Sequence, residues 1–192
     1  ECGFMFSALI ITSSLFELKN FISLKPKLKF KKVPLKNISQ LIAHIGVGLL
    51  IIGATGTSIL KKEKIQFQNP NQIISISQFD VKFIGIKNIE GPNYISEMGE
   101  FKIYKSGQFV KSLFPERRFY NSTERVTTEA AIYSTILGDL YIAIGDRNSL
   151  EKNNSWTTRI WFNPFTIWIW IGVFFLSFGG LISLIKTLRT RK

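Results

Sequence analysis

The sequence predicts a membrane α-helical protein of about three spans, with an all-β-rich extramembrane domain between the last two. Three observations carry that prediction. Apolar residues pool in three runs, residues 3–18, 38–60 and 164–185, in which only Glu17 and His44 can ionise. Positive charge concentrates in two short segments outside those runs. Between the second and third runs the apolar residues alternate with polar ones instead of clustering.

Each element follows from one of these features. The run over 38–60 holds 23 residues; at ~1.5 Å per residue it covers roughly 34 Å, enough for a hydrocarbon core of about 30 Å. It and the run over 164–185 read as transmembrane helices. The first run has 16 residues, short for a full crossing, so 1–18 is expected to be a span that is incomplete at its start or a hairpin element. The chain begins at Glu1, which suggests a fragment, a processed product or one piece of a longer protein. Residues 19–37 carry Lys19, Lys25, Lys27, Lys29, Lys31, Lys32 and Lys36 with no acid, and 186–192 carry Lys186, Arg189, Arg191 and Lys192. These two segments supply +11 of the net +12. Short Lys/Arg-rich loops stay on the inner side. The basic loop and tail are therefore inside, and 61–163, at only +3, is outside. Spans on both flanks make the loop a poor nucleic-acid surface; membrane lipid, and no nucleic acid, is the expected surrounding.

The segment 61–163 is long enough for one small domain. Phe79, Val81 and Phe83 alternate with Asp80 and Lys82 as in a half-buried strand. Phe101 and Ile103, a turn at Lys105-Ser106-Gly107-Gln108 and the run Phe109 to Leu113 read as a hairpin. Leu140, Ile142 and Ile144 form a later strand closed by Gly145-Asp146, and Thr157 to Phe162 supply the last. Gly91-Pro92-Asn93 and Pro115 mark loops. Thr128-Glu129-Ala130-Ala131-Ile132 favours a short helix capped by Thr127 or Thr128. The whole reads as an antiparallel β-sandwich or partly open barrel. Trp156, Trp161, Trp168 and Trp170 cluster where the domain returns to the last span and read as interfacial anchors; the alternative is a platform for a porphyrin face. Glu116-Arg117-Arg118 and Glu129 read as an ion-paired surface loop.

The composition excludes several chemistries. With one cysteine, Cys2, the chain has no internal disulfide, cysteine-based zinc site or iron–sulfur cluster of its own. It has one histidine, no serine elbow and no Gly-rich phosphate loop, so no enzyme constellation is present. His44 is the informative residue. An ionisable group at that depth is costly and marks a functional site by default, and imidazole is a common axial ligand of haem iron. A neutral histidine bonding two helices is the competing reading. Gly48, one turn away, together with Gly46, Gly53 and Gly56, would admit another backbone or equally a flat macrocycle. Met98 and Met5 are poorly placed as a second ligand. A bis-histidine haem would draw its other histidine from another polypeptide or an upstream part.

The residues resemble a known family. Ala43-His44-Ile45-Gly46-Val47 is similar to the late transmembrane segment of CcmF, the haem lyase component of cytochrome c maturation. Gly91-Pro92-Asn93-Tyr94, Pro115-Glu116-Arg117-Arg118-Phe119-Tyr120, Thr128-Glu129-Ala130-Ala131-Ile132 and Asp139-Leu140-Tyr141 resemble its outer-domain motifs. Pro164-Phe165, Trp168-Ile169-Trp170-Ile171-Gly172 and Gly179-Gly180 resemble its last span. The order agrees from about Leu41 to Leu184.

The resemblance implies a C-terminal portion, truncated or from a split gene, that acts within a cytochrome c haem lyase and is not catalytic alone. It implies haem b as cofactor, with His44 as one axial ligand of the haem iron and the second histidine on the other CcmF portion. The implied partners are the haem carrier CcmE, a thioredoxin-like maturation protein and apocytochrome c. The Lys- and Ile-rich bias, and the likeness of residues 61–68 to the plant mitochondrial form, imply the mitochondrial inner membrane with 61–163 in the intermembrane space. A bacterial cytoplasmic membrane, with that domain periplasmic, is the alternative. The rival function is a non-catalytic structural or sensory membrane protein with an outer β-domain.

Overall fold

The computed structural model describes residues 2–23, 34–148 and 155–190. The chain forms two units, a helical one from Glu1–Leu60 and Pro164–Lys192 and a β one from Lys61–Asn163. The helical unit contains α1 (Cys2–Ser23), α2 (Leu35–Ile59) and α3 (Thr166–Thr190). All three are long and apolar enough to cross a membrane, over 20, 25 and 23 residues. Most of the basic loop falls on residues 24–33, outside the described residues, as do 191–192 of the tail; Lys186 to Thr190 continue α3.

Within this unit α2 lies between the other two helices and runs antiparallel to both. Against α3 the backbones nearly touch. A Cβ on Gly46 would come within 2.5 Å of the Leu176 nitrogen and 2.7 Å of the Gly172 oxygen, and one on Gly172 within 2.5 Å of the Leu50 nitrogen. One heptad along, Gly53 takes the Ile169 backbone in the same way, at 2.7 Å. Small residues are what lets helices associate where burial from water gives no driving force. The Thr57 hydroxyl adds a bond to the Pro164 carbonyl at 2.9 Å. Between them, Phe165 holds a left-handed backbone (φ 61°) and its ring lies over Gly56.

The β unit is an antiparallel sandwich. One sheet has the order β1-β10-β9-β8, from Lys62–Gln68, Trp156–Pro164, Gly138–Arg147 and Ala131–Thr135. The other has the order β2-β3-β4-β6-β7, from Ile73–Ile76, Phe79–Glu90, Tyr94–Lys105, Glu116–Tyr120 and Arg125–Glu129, with β5 (Gln108–Leu113) also paired to β4. The strand β4 is long enough to serve two partners: Phe101 to Lys105 pair with β5 and Tyr94 to Met98 with β6. The switch occurs at Gly99, whose N–H donates to the carbonyl of buried Pro115 at 2.9 Å. The first and last strands are neighbours, with Lys62 opposite Phe162.

The alternating residues read from the sequence face inward. Phe79, Val81, Phe83, Phe101 and Ile103 of one sheet meet Leu140, Ile142, Ile144, Ile160 and Phe162 of the other, all almost fully buried. Phe83 and Phe101 stack with centroids 4.9 Å apart, and Phe79 meets Phe162 at 5.9 Å. The hairpin at Ser106-Gly107 has positive φ at both central residues (51° and 77°), the two-residue turn that matches strand twist.

The fold class is the one expected, with three local corrections. The first apolar run, expected to end at Leu18 and to be short for a crossing, continues as helix to Ser23 and offers a 20-residue span. The short helix expected over Thr128 to Ile132 is absent: Thr127 and Thr128 pair with Arg118 and Arg117 in β7, and Ala131 and Ile132 pair with Ile142 and Tyr141 in β8. Five residues cannot nucleate a helix against two ready-made ladders, and threonine suits a strand. Similarly, Gly145-Asp146 does not close β9, which continues to Arg147.

Gly46→Leu should force α2 and α3 apart and lower the thermal midpoint of the detergent-solubilised protein, whereas Gly180→Ala, with open space at its Cβ, should leave it unchanged. In the sandwich, Phe101→Ala should cost about 3–5 kcal/mol in chemical denaturation, and exposed Phe109→Ala no more than about 0.5 kcal/mol.

Candidate functional site

His44 lies in the third turn of α2 beyond Pro34, partly buried, on the side facing α1. Two serines of α1, one heptad apart, meet α2 there. The Ser7 hydroxyl donates to the Gly48 carbonyl at 2.8 Å. The Ser14 hydroxyl oxygen lies 2.9 Å from His44 Nδ1 and 2.8 Å from the carbonyl oxygen of Ile10 in its own helix. Among the described residues, Nε2 of His44 has no hydrogen-bond partner. A cavity of about 10 Å³ beside the ring is lined by Ser14, Glu17, Leu18, Asn37, Gln40, Leu41 and His44, room for about one water. The two ionisable groups of the apolar runs therefore share one polar cleft between α1 and α2.

The glycines around His44 are occupied by protein. A Cβ on Gly48 would strike Ile11 of α1 at 2.5 Å, and Gly46, Gly53 and Gly56 face α3 or Phe165. Of the two occupants the sequence allowed, these glycines receive a helix backbone and side chains. Ser14 was not singled out from the sequence, although Ser7 and Ser14, set one heptad apart on the face of Gly3, form a detectable small-residue stripe.

A second constellation joins motifs that lie 20 residues apart in sequence. On β6, Arg117 reaches Glu97 of β4 at 2.9 Å and Asp146 of β9 at 2.6 Å, tying the two sheets together. Arg118 donates to Glu116 at 2.8 Å and lies over the Tyr94 ring at 4.7 Å, and Ser96 donates to the same Glu116 oxygen at 3.0 Å. Tyr94 in turn packs on Tyr120 at 5.5 Å, and its ring covers Gly91 so closely that a Cβ there would lie 2.5 Å away. Glu116-Arg117-Arg118 is thus a strand, not a loop, with the ion pairing expected; exposed Glu129 stands opposite Glu116 in the ladder.

The Arg118 hydrogen bond holds the Glu116 carboxyl below its ordinary range; burial opposes it, and the Ser96 hydrogen bond and the Arg118 charge add to the lowering. Glu116 and Tyr120 push Arg118 further up. Burial, then the Asp139 charge, raises the Tyr141 phenol.

The tryptophans divide. Trp156 is a core residue of the sandwich, 8% exposed, and Trp161 stacks on Tyr141 at 5.2 Å beneath the Arg159 guanidinium. An interfacial role fits only Trp168 and Trp170 in the first two turns of α3, the latter 69% exposed. Both cases reflect strand parity and helix phase, which a count of tryptophans does not show.

Three membrane-length helices, with an antiparallel sandwich inserted between the second and third, define a multi-pass membrane protein with one extramembrane β-domain. The family model described as CcmF C-terminal beta-sandwich matches residues 59–164, and the chain belongs to the CcmF family. The cytochrome c-type biogenesis protein CcmF of Haemophilus influenzae is 33% identical over 184 residues, covering 95% of this chain and 28% of its own length. The protein of that name from Escherichia coli K12 is 31% identical over 142 residues, covering 74% of this chain and 22% of its own. A solved structure titled cytochrome c heme lyase CcmF matches with a TM-score of 0.65 and 16% identity, over 93% of this chain and 28% of that one, a likeness of fold. The chain spans between about a fifth and just over a quarter of the length of the relatives it matches.

Because Glu116 titrates lower in the folded state than its ordinary 4.5, its contribution to stability is complete above that value and is lost as pH falls through the lowered one. Glu116→Gln should therefore reduce the urea midpoint at pH 7 and flatten its decline between neutral and acid pH.

Proposed function

We propose that this chain supplies His44 as one axial ligand of a haem b within a cytochrome c haem lyase. The observation that carries this is His44 itself: the one histidine of the chain is set in a membrane-length helix of a CcmF-family protein, with Nδ1 held by Ser14 and Nε2 without a hydrogen-bond partner among the described residues. That donor set fits haem iron, which takes neutral imidazole through one ring nitrogen while the other is oriented by a neighbour. The cleft between α1 and α2 is water-sized, so a macrocycle is not enclosed by this helix pair alone. The second axial histidine belongs to the remaining CcmF portion.

A haem b so held supplies one-electron chemistry, fitting reduction of incoming haem before thioether attachment. The part played by this chain is to hold the imidazole in a fixed register, exclude water through the packed α1–α2–α3 interfaces, and present the sandwich outside the membrane. The haem carrier CcmE, a thioredoxin-like protein and apocytochrome c are the partners this reading requires, and the names of the relatives support a maturation role. By the positive-inside rule the sandwich faces the intermembrane space of a mitochondrion, the location favoured by the Lys- and Ile-rich composition. In a bacterial membrane it would be periplasmic.

The Ser14 contact also suits a second reading, in which His44 only joins α1 to α2. The two readings separate cleanly. His44→Ala in the assembled complex should abolish the low-spin b-type absorbance. Retention of that absorbance, or a complex that carries no haem and tolerates His44→Asn, would leave His44 as a helix contact.

A further inference from the structure

We propose that Ser14 is a positioning residue that fixes the tautomer of His44, obliging its hydrogen onto Nδ1 and leaving Nε2 bare. The effect on iron rests on the haem reading above; the tautomer does not.

The argument is one of counting protons. A serine hydroxyl has one hydrogen and two acceptor lone pairs, and a backbone carbonyl only accepts. Ser14 Oγ is 2.8 Å from the Ile10 oxygen and 2.9 Å from His44 Nδ1. If the hydroxyl hydrogen pointed to Nδ1, two bare oxygens would face each other at 2.8 Å. Given to Ile10, the hydrogen satisfies the carbonyl, and Oγ is left as an acceptor toward Nδ1. Both contacts are hydrogen bonds only when Nδ1 carries the imidazole hydrogen. Ser14 is 5% exposed, so bulk water does not compete for it. The position of Ser14 is held independently by the Ser7–Gly48 bond one heptad away, which keeps α1 against α2 without its help.

The chain Ile10 carbonyl, Ser14 hydroxyl, His44 imidazole runs from one helix backbone to the ring of the next. Hydrogen bonds in series polarise one another, so a hydroxyl that donates to Ile10 is a better acceptor for Nδ1–H. A neighbour that accepts from the distal N–H sets ring orientation and raises ligand basicity. At iron this favours the ferric state, and losing it should raise the midpoint potential. Threonine can keep the arrangement, because its hydroxyl also bonds the carbonyl four residues back.

The single histidine makes the test direct. In the full chain labelled with ¹⁵N at histidine, one imidazole gives one pair of ring signals. The wild type should show protonated Nδ1 and unprotonated Nε2, Ser14→Ala should move toward the Nε2–H form, and Ser14→Thr should keep the wild-type pattern. A wild-type spectrum with Nε2–H overturns the assignment whatever Ser14→Ala does. In the haem-loaded complex, Ser14→Ala should raise the midpoint potential or lose haem, with Ser14→Thr restoring it; unchanged potential with haem retained overturns the influence on iron. Haem kept by His44→Ala would instead overturn the ligation reading, with the nitrogen spectrum still standing.

Discussion

The structure depends on how closely three helices can approach where hydrophobic burial gives no reward. Lipid tails are as apolar as leucine, so α2 gains nothing by leaving them except packing contacts and hydrogen bonds. It obtains the contacts by having no side chain at Gly46 and Gly53, where α3 comes against its backbone, and at Gly48, where Ile11 of α1 fills the gap. It obtains the bonds from Ser7 and Thr57. With α2 fixed on both flanks, its register is set in steps of a helical turn. His44 is thereby held where Ser14 can reach its ring.

The sandwich solves a different problem with water as solvent. Its core is aromatic and aliphatic, and the two sheets are also joined at their polar margin by Arg117, which pairs with Glu97 in its own sheet and Asp146 in the facing one. Gly91, Tyr94, Glu116, Arg118 and Tyr120 form a single packed and charged array around that strand. Two segments that look independent in sequence are one structural unit. Surface ion pairs add little singly, but here the guanidinium planes also stack on or bridge between elements, so geometry and charge act together.

Much of this was legible in the sequence, and what was missed has physical causes. Hydropathy and lysine placement reveal spans because a bilayer imposes length and charge rules on any segment that crosses it. Strands such as Phe79 to Phe83 are legible because alternation of period two has one reading. Thr128 to Ile132 misleads because Glu-Ala-Ala has helical propensity, while the ladders with Arg117 and Ile142 that override it are distant in sequence. Trp156 and Trp161 mislead because a residue type is not a face. His44 stood out as the one ring in an uncharged stretch. Its partner Ser14 did not, since a hydroxyl in an apolar run becomes informative only once the opposite helix is known.

The adjacency of β1 and β10 has a topological consequence. With Lys62 opposite Phe162, the hundred-odd residues between α2 and α3 depart and return through two neighbouring strands, so the sandwich is in effect an enlarged loop closing an antiparallel helical hairpin. Such a module can grow, shrink or be exchanged at its distal turns while the stem, two paired strands, keeps its width.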